Sequence, residues 1–151
     1  MSVELKESGI RNVVFGKNVK VIKPTNLYDC EIGDNSFVGP FVEVQGEVKI
    51  GDRTKIQSHS FICSLVTIGN DCFIGHGVVF INDLFAKGSP ACGDSTLYKA
   101  TNIGNNVSIG SNSTLLPVSI CDNVVIGAGS VVTKSITSAG TYLGNPAKKY
   151  K

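Results

Sequence analysis

The chain contains only two histidines, His59 and His76. An amide and a carboxylate, Asn82 and Asp83, stand next to each other at the start of an irregular stretch. An imidazole exchanges a proton near neutral pH and is the side chain most often used as a general base. Amide and carboxylate oxygens can orient a reacting group by hydrogen bonding. We therefore take these four residues as the candidates for chemistry. Each also has a structural interpretation: a solvated or subunit-contact histidine, and an Asx turn at a loop entry.

The elements that must position these residues follow a six-residue period. Apolar residues recur at every sixth position without a slip, at Ile32, Val38, Val44, Ile50, Ile56, Ile62, Ile68, Ile74 and Phe80. Neither a helix of 3.6 residues per turn nor a plain strand of period two explains this spacing. A coil with three short flat sides and three corners does explain it, because each side then contributes one inward-facing side chain.

A longer period of eighteen residues lies on top of the first. The triplets that recur at this spacing are Ile32-Gly33-Asp34, Ile50-Gly51-Asp52 and Ile68-Gly69-Asn70. Three hexads therefore make one coil, and the coils stack by parallel backbone hydrogen bonding at about 4.8 Å per layer. The sequence predicts an all-β parallel solenoid, with repeats over about residues 15–136 of a single domain spanning residues 1–151.

The register breaks once, and the break predicts a long inserted loop. The next triplet, Ile103-Gly104-Asn105, arrives 17 residues later than the period requires. We place the insertion at about residues 83–100, and long loops on regular scaffolds usually carry function or contacts. The ladder then resumes, with a slip of one residue near Pro117. From residue 137 to 151 the pattern dissolves, which we interpret as a cap or a ligand-contacting arm.

Composition excludes several classes of protein. A net charge of +2 offers no electrostatic basis for binding nucleic acid or a membrane surface. The first seven residues carry charges where a signal peptide is apolar, and no stretch approaches the ~18 apolar residues of a membrane span. The five cysteines are scattered without a CxxC pair, so we interpret them as reduced thiols. We expect a soluble cytoplasmic protein.

The period also places the candidates on the corners of the solenoid. Counted from the coil starts at Ile50 and Ile68, His59 and His76 are nine and eight residues along, so we expect both on one edge in successive coils. Asn82 is fourteen residues along, at the next corner. Because six extended residues span up to roughly 20 Å, His76 and Asn82 of one chain are poorly placed to hold the same small group. Two subunits could bring them together, which predicts a site between subunits.

The repeat resembles the hexapeptide-repeat acyltransferases, which fold as left-handed parallel β-helices and usually assemble as trimers. Within that family, four runs are similar to the nucleotide-linked amino-sugar N-acetyltransferases, above all to those acting on a dTDP-3-amino-3,6-dideoxyhexose: residues 56–63, 73–83, 124–134 and 144–147. The resemblance implies a homotrimeric left-handed β-helix, acetyl-CoA as the donor and a sugar amine as the acceptor. It also implies an active site between neighbouring subunits and a place in surface-polysaccharide biosynthesis.

For catalysis, the resemblance implies roles for His76, Asn82 and Asp83. Some amino-sugar members use no strong side-chain base: a polar residue orients the amine and the departing thiolate accepts the proton. Asn82 or Asp83 would then position the amine, and His76 would matter less. The candidates for binding the acceptor are His59, Arg53, Phe85 and Tyr98.

Coenzyme A and a nucleotide sugar are polyanions, so basic side chains should mark where their phosphates lie. The candidates for binding acetyl-CoA are Gly110, Ala128, Gly129, Lys134, Asn145, Pro146 and Lys148. The lysines have an alternative interpretation as a solubilising C-terminal charge run, and Arg53 as an ordinary surface residue. We expect no metal.

Three other functions stay open. O-acetyl transfer to a sugar hydroxyl is the nearest, and a base such as His76 is then harder to dispense with. A zinc carbonic anhydrase on the same fold needs three histidine ligands at a subunit boundary, and this chain has two histidines. A non-catalytic β-helix serving as a binding module is the third. Metal analysis and a test of coenzyme A binding separate these possibilities.

Overall fold

The computed structural model describes residues 1–151, and its backbone winds through three parallel β-sheets in turn. Each turn adds one short strand to each sheet, so strands three apart in the chain are hydrogen-bonded neighbours over most of the structure. The sheets form the flat sides of a triangular prism. The fold is a left-handed parallel β-helix, which confirms the prediction, and the only helix is one 3-10 turn over Ser95–Leu97.

The strands divide among the sheets as follows. Sheet A contains β1 (Ile10–Arg11), β4 (Asn26–Tyr28), β7 (Glu43–Val44), β10 (Phe61–Ile62), β13 (Val79–Phe80), β16 (Thr114–Leu115) and β19 (Val131–Val132). Sheet B contains β2 (Val14–Phe15), β5 (Glu31–Ile32), β8 (Lys49–Ile50), β11 (Val66–Ile68), β14 (Thr101–Ile103) and β17 (Ser119–Ile120). Sheet C contains β3 (Lys20–Val21), β6 (Phe37–Val38), β9 (Lys55–Ile56), β12 (Phe73–Ile74), β15 (Ser108–Ile109), β18 (Val124–Ile126), β20 (Gly140–Gly144) and β21 (Ala147–Lys149).

The core is the inward-facing ladder of the six-residue period. All nine ladder residues from Ile32 to Phe80 are at most 4% exposed. Ile32 pairs in register with Ile50, and Ile50 with Ile68, so like side chains stack in successive coils. Burying a side chain of this size stabilises the fold by about 1.5–3 kcal/mol, and β-branched residues suit short strands. The ladder therefore holds the coils in register.

The corner between sheets B and C, which we call the ladder edge, accounts for the recurring Ile-Gly-Asp/Asn triplets. In each coil a side-chain Oδ1 atom accepts a hydrogen bond from the backbone N–H of the equivalent residue one coil earlier, at 2.6–2.8 Å. The acceptors are Asp34, Asp52, Asn70, Asn105 and Asp122. A Cβ atom added to Gly51 would collide with Oδ1 of Asn70. Glycine thus leaves the space that the ladder of Asp and Asn side chains occupies.

The other two corners hold most of the candidate residues. The histidine edge is the corner between sheets C and A, formed by segments 39–42, 57–60, 75–78, 110–113 and 127–130. The loop edge is the corner between sheets A and B, formed by segments 45–48, 63–65, 116–118 and 133–135 and by the inserted loop, residues 81–100. Sheet A is the flat face between these two edges.

The C-terminal residues form a hairpin at the end of the prism. Strand β20 pairs in parallel with β18 on sheet C, and β21 turns back to pair with β20 in the antiparallel sense. The hairpin turn lies over the histidine edge, because the backbone N–H of Gly144 donates to Oγ of Ser130 at 3.2 Å. None of the helical segments has the length and apolar character that crossing a bilayer requires.

Candidate active site

His59 and His76 lie on the histidine edge in successive coils, one corner position apart. The backbone N–H of His59 donates to the carbonyl of Pro40, and the backbone N–H of Gly77 makes the same bond to Ser58. Gly77 is therefore the structural equivalent of His59, and His76 precedes it by one residue. The His76 side chain is exposed, and its imidazole makes no hydrogen bond within the chain. It is free to contact a bound molecule or a second subunit.

The His59 side chain instead has a partner on its own edge. Its ring stacks on Phe41, one coil earlier, with a centroid distance of 4.9 Å and an interplanar angle of 29°. Both residues have positive φ values, 64° for His59 and 60° for Phe41. The pair forms an exposed aromatic surface beside the coil that carries His76.

Asn82 lies on the loop edge, and its amide group is anchored on one side only. Nδ2 donates to the carbonyl oxygen of Ser64 at 3.2 Å and to Ser64 Oγ at 2.9 Å. Oδ1 receives no hydrogen bond from the chain. Because β13 separates Asn82 from His76, the two side chains of one protomer sit on different edges of the prism. The structure therefore presents an unpaired amide oxygen on one edge and an unpaired imidazole on the other.

Asp83 organises the inserted loop. Its Oδ1 atom accepts from the backbone N–H of Phe85 at 2.9 Å, and Oδ2 accepts from that of Ala91 at 2.7 Å. Asp83 also forms an isolated antiparallel bridge with Tyr98, which closes the base of the loop. Both carboxylate oxygens are thus already bonded within the loop, the arrangement expected of a positioning residue.

The two aromatic candidates of the loop differ in exposure. Tyr98 is half-buried at the loop base, and its hydroxyl oxygen accepts from the backbone N–H of Gly93 at 3.3 Å. Phe85 is 58% exposed and projects beside Leu84, which is 49% exposed. Phe85 and Leu84 give the loop an apolar tip that no other part of the chain covers.

Arg53 lies on the ladder edge, away from both other candidate groups. Its Nε and Nη2 atoms donate to the two carboxylate oxygens of Asp71, one coil later, at 2.7 and 2.9 Å. The hydrogen bond from Arg53 lowers the pKa of Asp71 below its ordinary value. The structure does not bring Arg53 together with His76 or Asn82 in one protomer.

Most candidates for acetyl-CoA binding share the histidine edge. Ala128 and Gly129 are exposed there, and the turn containing Asn145 and Pro146 lies beside them. A Cβ atom added at Gly110 would collide with the backbone of Ala128, so this glycine is needed for close packing of two coils. At Gly129 a Cβ would meet nothing within 4 Å, and the surface there is open.

The two lysine candidates lie apart from each other. Lys148 is exposed on β21, in the hairpin beside the histidine edge, whereas Lys134 is exposed on the loop edge after β19. A single protomer therefore offers one of these positive charges to each edge of sheet A.

The outer face of sheet A changes character along the prism. Toward the C-terminal coils its half-buried side chains are mainly apolar: Phe61, Val79, Ile81, Leu116 and Val131. Toward the N-terminal coils they are polar: Asn26, Tyr28, Glu43 and Gln45. The equivalent outward residues of sheet B are exposed and mostly polar: Glu31, Lys49, Thr67, Asn102 and Ser119. The C-terminal half of sheet A is thus better suited than sheet B to contact another protein chain.

The cysteines supply no nucleophile near Asn82. Cys63, next to Ser64, is buried, and burial raises its pKa to about 12. A thiol with such a pKa stays protonated near neutral pH and is a poor nucleophile. All five cysteines are free thiols, and no group of three or more His, Cys, Asp or Glu side chains is placed to hold a metal ion.

Sequence reasoning missed two residues that bear directly on Asn82. Ser64 anchors the Asn82 amide, and Gln45 accepts from the Ser64 backbone N–H at 3.3 Å through Oε1. The signal was available for Ser64, because it precedes Asn82 by one coil of eighteen residues. The same spacing of eighteen residues relates Phe41 to its stacking partner His59.

Comparisons with known proteins agree with this architecture. Residues 29–64 match the family described as bacterial transferase hexapeptide (six repeats), and residues 65–81 and 101–134 match the hexapeptide repeat of succinyl-transferase. The chain is 33% identical over 147 residues to the bifunctional protein GlmU of Clostridium botulinum, covering 85% of this chain and 30% of that protein. It therefore spans about a third of the length of the GlmU relatives it matches.

Two solved structures are similar in fold. A mutant of AntD, an N-acyltransferase from Bacillus cereus in complex with dTDP and coenzyme A, superposes with a TM-score of 0.79 at 23% identity, covering 93% of this chain and 83% of AntD. A hexapeptide-repeat acetyltransferase from Vibrio cholerae, complexed with acetyl-coenzyme A, gives a TM-score of 0.67 at 26% identity, covering 80% and 69%. With more than half of its residues matched by hexapeptide families, the chain belongs to the hexapeptide-repeat transferases.

Proposed function

We propose that the protein transfers an acetyl group from acetyl-CoA to the amino group of a nucleotide-linked amino sugar. The observation that carries the proposal is the state of Asn82: Ser64 holds its Nδ2 atom, and Oδ1 has no partner in the chain. A free amide oxygen is a hydrogen-bond acceptor, which is what the N–H of an acceptor amine requires. The exposed imidazole of His76 supplies the second half of the site.

The reaction needs an aligned amine more than a strong base. In this proposal an N–H of the neutral amine donates to Asn82 Oδ1, which aims the nitrogen lone pair at the thioester carbonyl carbon. The N–C bond forms and the C–S bond breaks. The proton that leaves nitrogen passes to the departing thiolate or to the His76 imidazole, so charge and atoms balance.

The site is completed by a second copy of the chain. Sheet A has a mainly apolar outer surface in its C-terminal coils and is bounded by the histidine edge on one side and the loop edge on the other. Packing this face around a threefold axis sets His76 of one protomer opposite Asn82 and the apolar loop tip of the next. The proposed assembly is a homotrimer with three sites, each requiring two subunits.

The polyanionic substrates fit the same arrangement. Ala128, Gly129, Asn145, Pro146 and Lys148 are proposed to hold coenzyme A along the histidine edge, with Lys134 reaching it from the loop edge of a neighbour. The stacked pair of Phe41 and His59 provides an aromatic surface for a sugar or a base.

Because AntD binds both dTDP and coenzyme A, a dTDP-linked 3-amino-3,6-dideoxyhexose is the acceptor we propose to test first. The five free thiols fit a reducing cytoplasm, where surface-polysaccharide precursors are made.

The test is release of free thiol from acetyl-CoA in the presence of dTDP-linked, UDP-linked and GDP-linked amino sugars. We expect release that depends on the acceptor and forms an N-acetylated product identifiable by mass. Matched sugars with a hydroxyl in place of the amine are the control. Turnover of the hydroxyl sugars alone would identify an O-acetyltransferase, and silence with every acceptor would defeat the proposal. Stoichiometric zinc in the purified protein would favour the carbonic anhydrase alternative.

Two variants assign the roles. Asn82→Ala removes the proposed amine acceptor, and we expect a loss in kcat on the order of 100-fold. His76→Ala tests the base: a comparable loss places proton transfer on the imidazole, and a small loss places it on the thiolate. If both variants lose activity, subunit exchange between them should restore part of it in mixed trimers, because some sites then combine an intact Asn82 with an intact His76.

A further inference from the structure

A continuous series of hydrogen bonds runs from Asn82 along the outer surface of sheet A. Below the Asn82 to Ser64 contact, Ser64 N donates to Gln45 Oε1 at 3.3 Å, and Gln45 Nε2 donates to Glu43 Oε1 at 3.0 Å. The other carboxylate oxygen of Glu43 accepts from Asn26 Nδ2 at 3.2 Å. We call this series the amide relay, comprising Asn26, Glu43, Gln45, Ser64 and Asn82.

In the part of the relay formed by Glu43, Gln45 and the Ser64 N–H, the hydrogen bonds can run in only one direction. An ionised carboxylate only accepts hydrogen bonds, and a backbone N–H only donates. Gln45 lies between these two fixed partners, Glu43 and the Ser64 N–H. Its NH2 must therefore face Glu43 and its Oε1 must face Ser64, since the flipped amide would oppose like groups at both ends.

The upper half fixes Asn82 by the same reasoning. The Ser64 carbonyl oxygen only accepts, and it lies 3.2 Å from Asn82 Nδ2. A flipped Asn82 would place Oδ1 against that carbonyl, where two acceptors repel. In that orientation Ser64 Oγ accepts a second hydrogen bond from the same Nδ2, at 2.9 Å. Oδ1 of Asn82 is thus turned away from the chain.

We infer that Ser64 and Gln45 are positioning residues that keep Asn82 Oδ1, rather than its NH2, presented to the acceptor amine. The inference rests on the proposed function. An amide that flipped freely would offer a donor half of the time, and a donor cannot accept the N–H of the amine. Ser64 acts on Asn82 directly, whereas Gln45 acts through the backbone N–H of Ser64.

The test compares Ser64→Ala with Ser64→Thr, which keeps the accepting hydroxyl. Ser64→Ala removes one of the two acceptors that hold Nδ2 and leaves only the backbone carbonyl. We therefore expect it to lower kcat about tenfold with little change in the KM for acetyl-CoA, and Ser64→Thr to recover most of the loss. Gln45→Met should lower kcat less, because one hydrogen bond separates Gln45 from the Asn82 anchor. Ser119→Ala, an exposed serine on sheet B, is the matched control and should behave as the wild type.

A double-mutant cycle shows whether Ser64 acts through Asn82. In an Asn82→Ala background, Ser64→Ala should cause no further loss, because the group that Ser64 positions is gone. An equal loss in both backgrounds, or a wild-type kcat for Ser64→Ala, would overturn the inference while leaving the proposed function intact. An inactive wild type fails the proposed function instead.

A measurement that does not depend on catalysis tests the inference even if the wild-type protein is inactive with every acceptor. The side-chain NH2 signals of Asn82 can be identified in 1H–15N spectra by their absence in Asn82→Ala. We expect Ser64→Ala to move these signals and speed their hydrogen exchange, with Ser64→Thr and Ser119→Ala close to the wild type. Unmoved signals in Ser64→Ala would contradict the relay, whatever the acceptor proves to be.

Discussion

The ladder edge and the histidine edge are built on the same repeat, yet they use their corner residues in opposite ways. On the ladder edge, each coil contributes an Asp or Asn oxygen that accepts from the coil before it. On the histidine edge, the corner residues are mostly small, and the His76 ring bonds to nothing in its own chain. Side-chain hydrogen bonds between coils on the histidine edge come instead from small serine hydroxyls, such as Ser60 Oγ to the Gly75 carbonyl and the His76 backbone N–H to Ser111 Oγ. The larger exposed side chains of the other two edges, such as His76 and Phe85, are the ones we propose to contact substrates and partner subunits.

The positive-φ positions show the same difference. On the ladder edge they are mostly Asn and Asp, which tolerate the left-handed region. On the histidine edge they include Phe41 and His59, with φ values of 60° and 64°. A bulky side chain in this conformation costs on the order of 1 kcal/mol, and the stack of the two rings offsets part of that cost.

The largest effect we expect comes from adding one methyl group to a glycine on each edge. Gly51→Ala places a Cβ against Oδ1 of Asn70 and the backbone of the next coil, so we expect a loss of about 3 kcal/mol in the free energy of unfolding. Gly129→Ala meets open space and bears only the strain of its positive φ, about 1 kcal/mol. Urea unfolding of both variants measures the contrast, and equal losses would contradict it.

Gly129→Ala also sharpens the functional side of the comparison. Since Gly129 is proposed to lie along coenzyme A, the added methyl should raise the KM for acetyl-CoA several-fold. A KM unchanged from the wild type would remove Gly129 from the binding surface and leave only its backbone role.

A smaller effect is expected from Asn70→Ala, which removes one acceptor of the ladder. The half-buried backbone N–H of Asp52 then loses its 2.7 Å partner, at a cost of about 1–3 kcal/mol. The kcat and KM values should stay at wild-type levels, because the ladder edge is distant from both halves of the proposed site. Thermal unfolding and steady-state kinetics check the two parts, and a kinetic defect without a stability defect would show that this edge is not merely structural.

The sequence predicted the parts of the molecule that burial decides. Exposing one inward residue such as Ile50 would cost about 1.5–3 kcal/mol in the free energy of unfolding. The inward positions are therefore apolar at every sixth residue, and the positions of the corners can be counted from them. Side chains at the corners have no such constraint. The bonding of Asp83 to its own loop, and the orientation of Gln45 by Glu43, depend on interactions of about 1 kcal/mol that leave no periodic pattern in the sequence.

His59→Gly tests whether the histidine edge is shaped for binding at the expense of stability. The variant matches Gly77 in the next coil and relieves the positive φ, but it loses the stack on Phe41 and gains chain entropy in the unfolded state. These contributions nearly cancel, and we expect a change within about 1 kcal/mol in the free energy of unfolding. The KM for the acceptor should rise a few-fold. A large loss of stability with normal kinetics would make His59 a structural residue.

The smallest effect is expected from Asp71→Asn, which keeps a residue tolerant of positive φ and removes the charge paired with Arg53. The Arg53 hydrogen bond lowers the pKa of Asp71 in the folded protein below its ordinary value of 3.8. A group with a lowered folded pKa stabilises the fold at pH values above its unfolded pKa, and this stabilisation is lost as the pH falls through the folded pKa. The wild type should therefore unfold at a slightly higher temperature than Asp71→Asn near neutral pH, and the gap should close below about pH 4.

The dependence of stability on salt and the KM for the acceptor show whether Arg53 is a structural residue of the ladder edge or binds the sugar pyrophosphate. Both partners are exposed, so the gap between wild type and Asp71→Asn should also shrink as the ionic strength rises. If Arg53 belongs to the ladder edge alone, Arg53→Met will reproduce the small stability change of Asp71→Asn and leave the acceptor KM unaltered. If Arg53 instead binds the sugar pyrophosphate, Arg53→Met will raise that KM while Asp71→Asn, which frees the guanidinium, will lower it. Opposite shifts in the acceptor KM of Arg53→Met and Asp71→Asn would therefore show that Arg53 binds the acceptor.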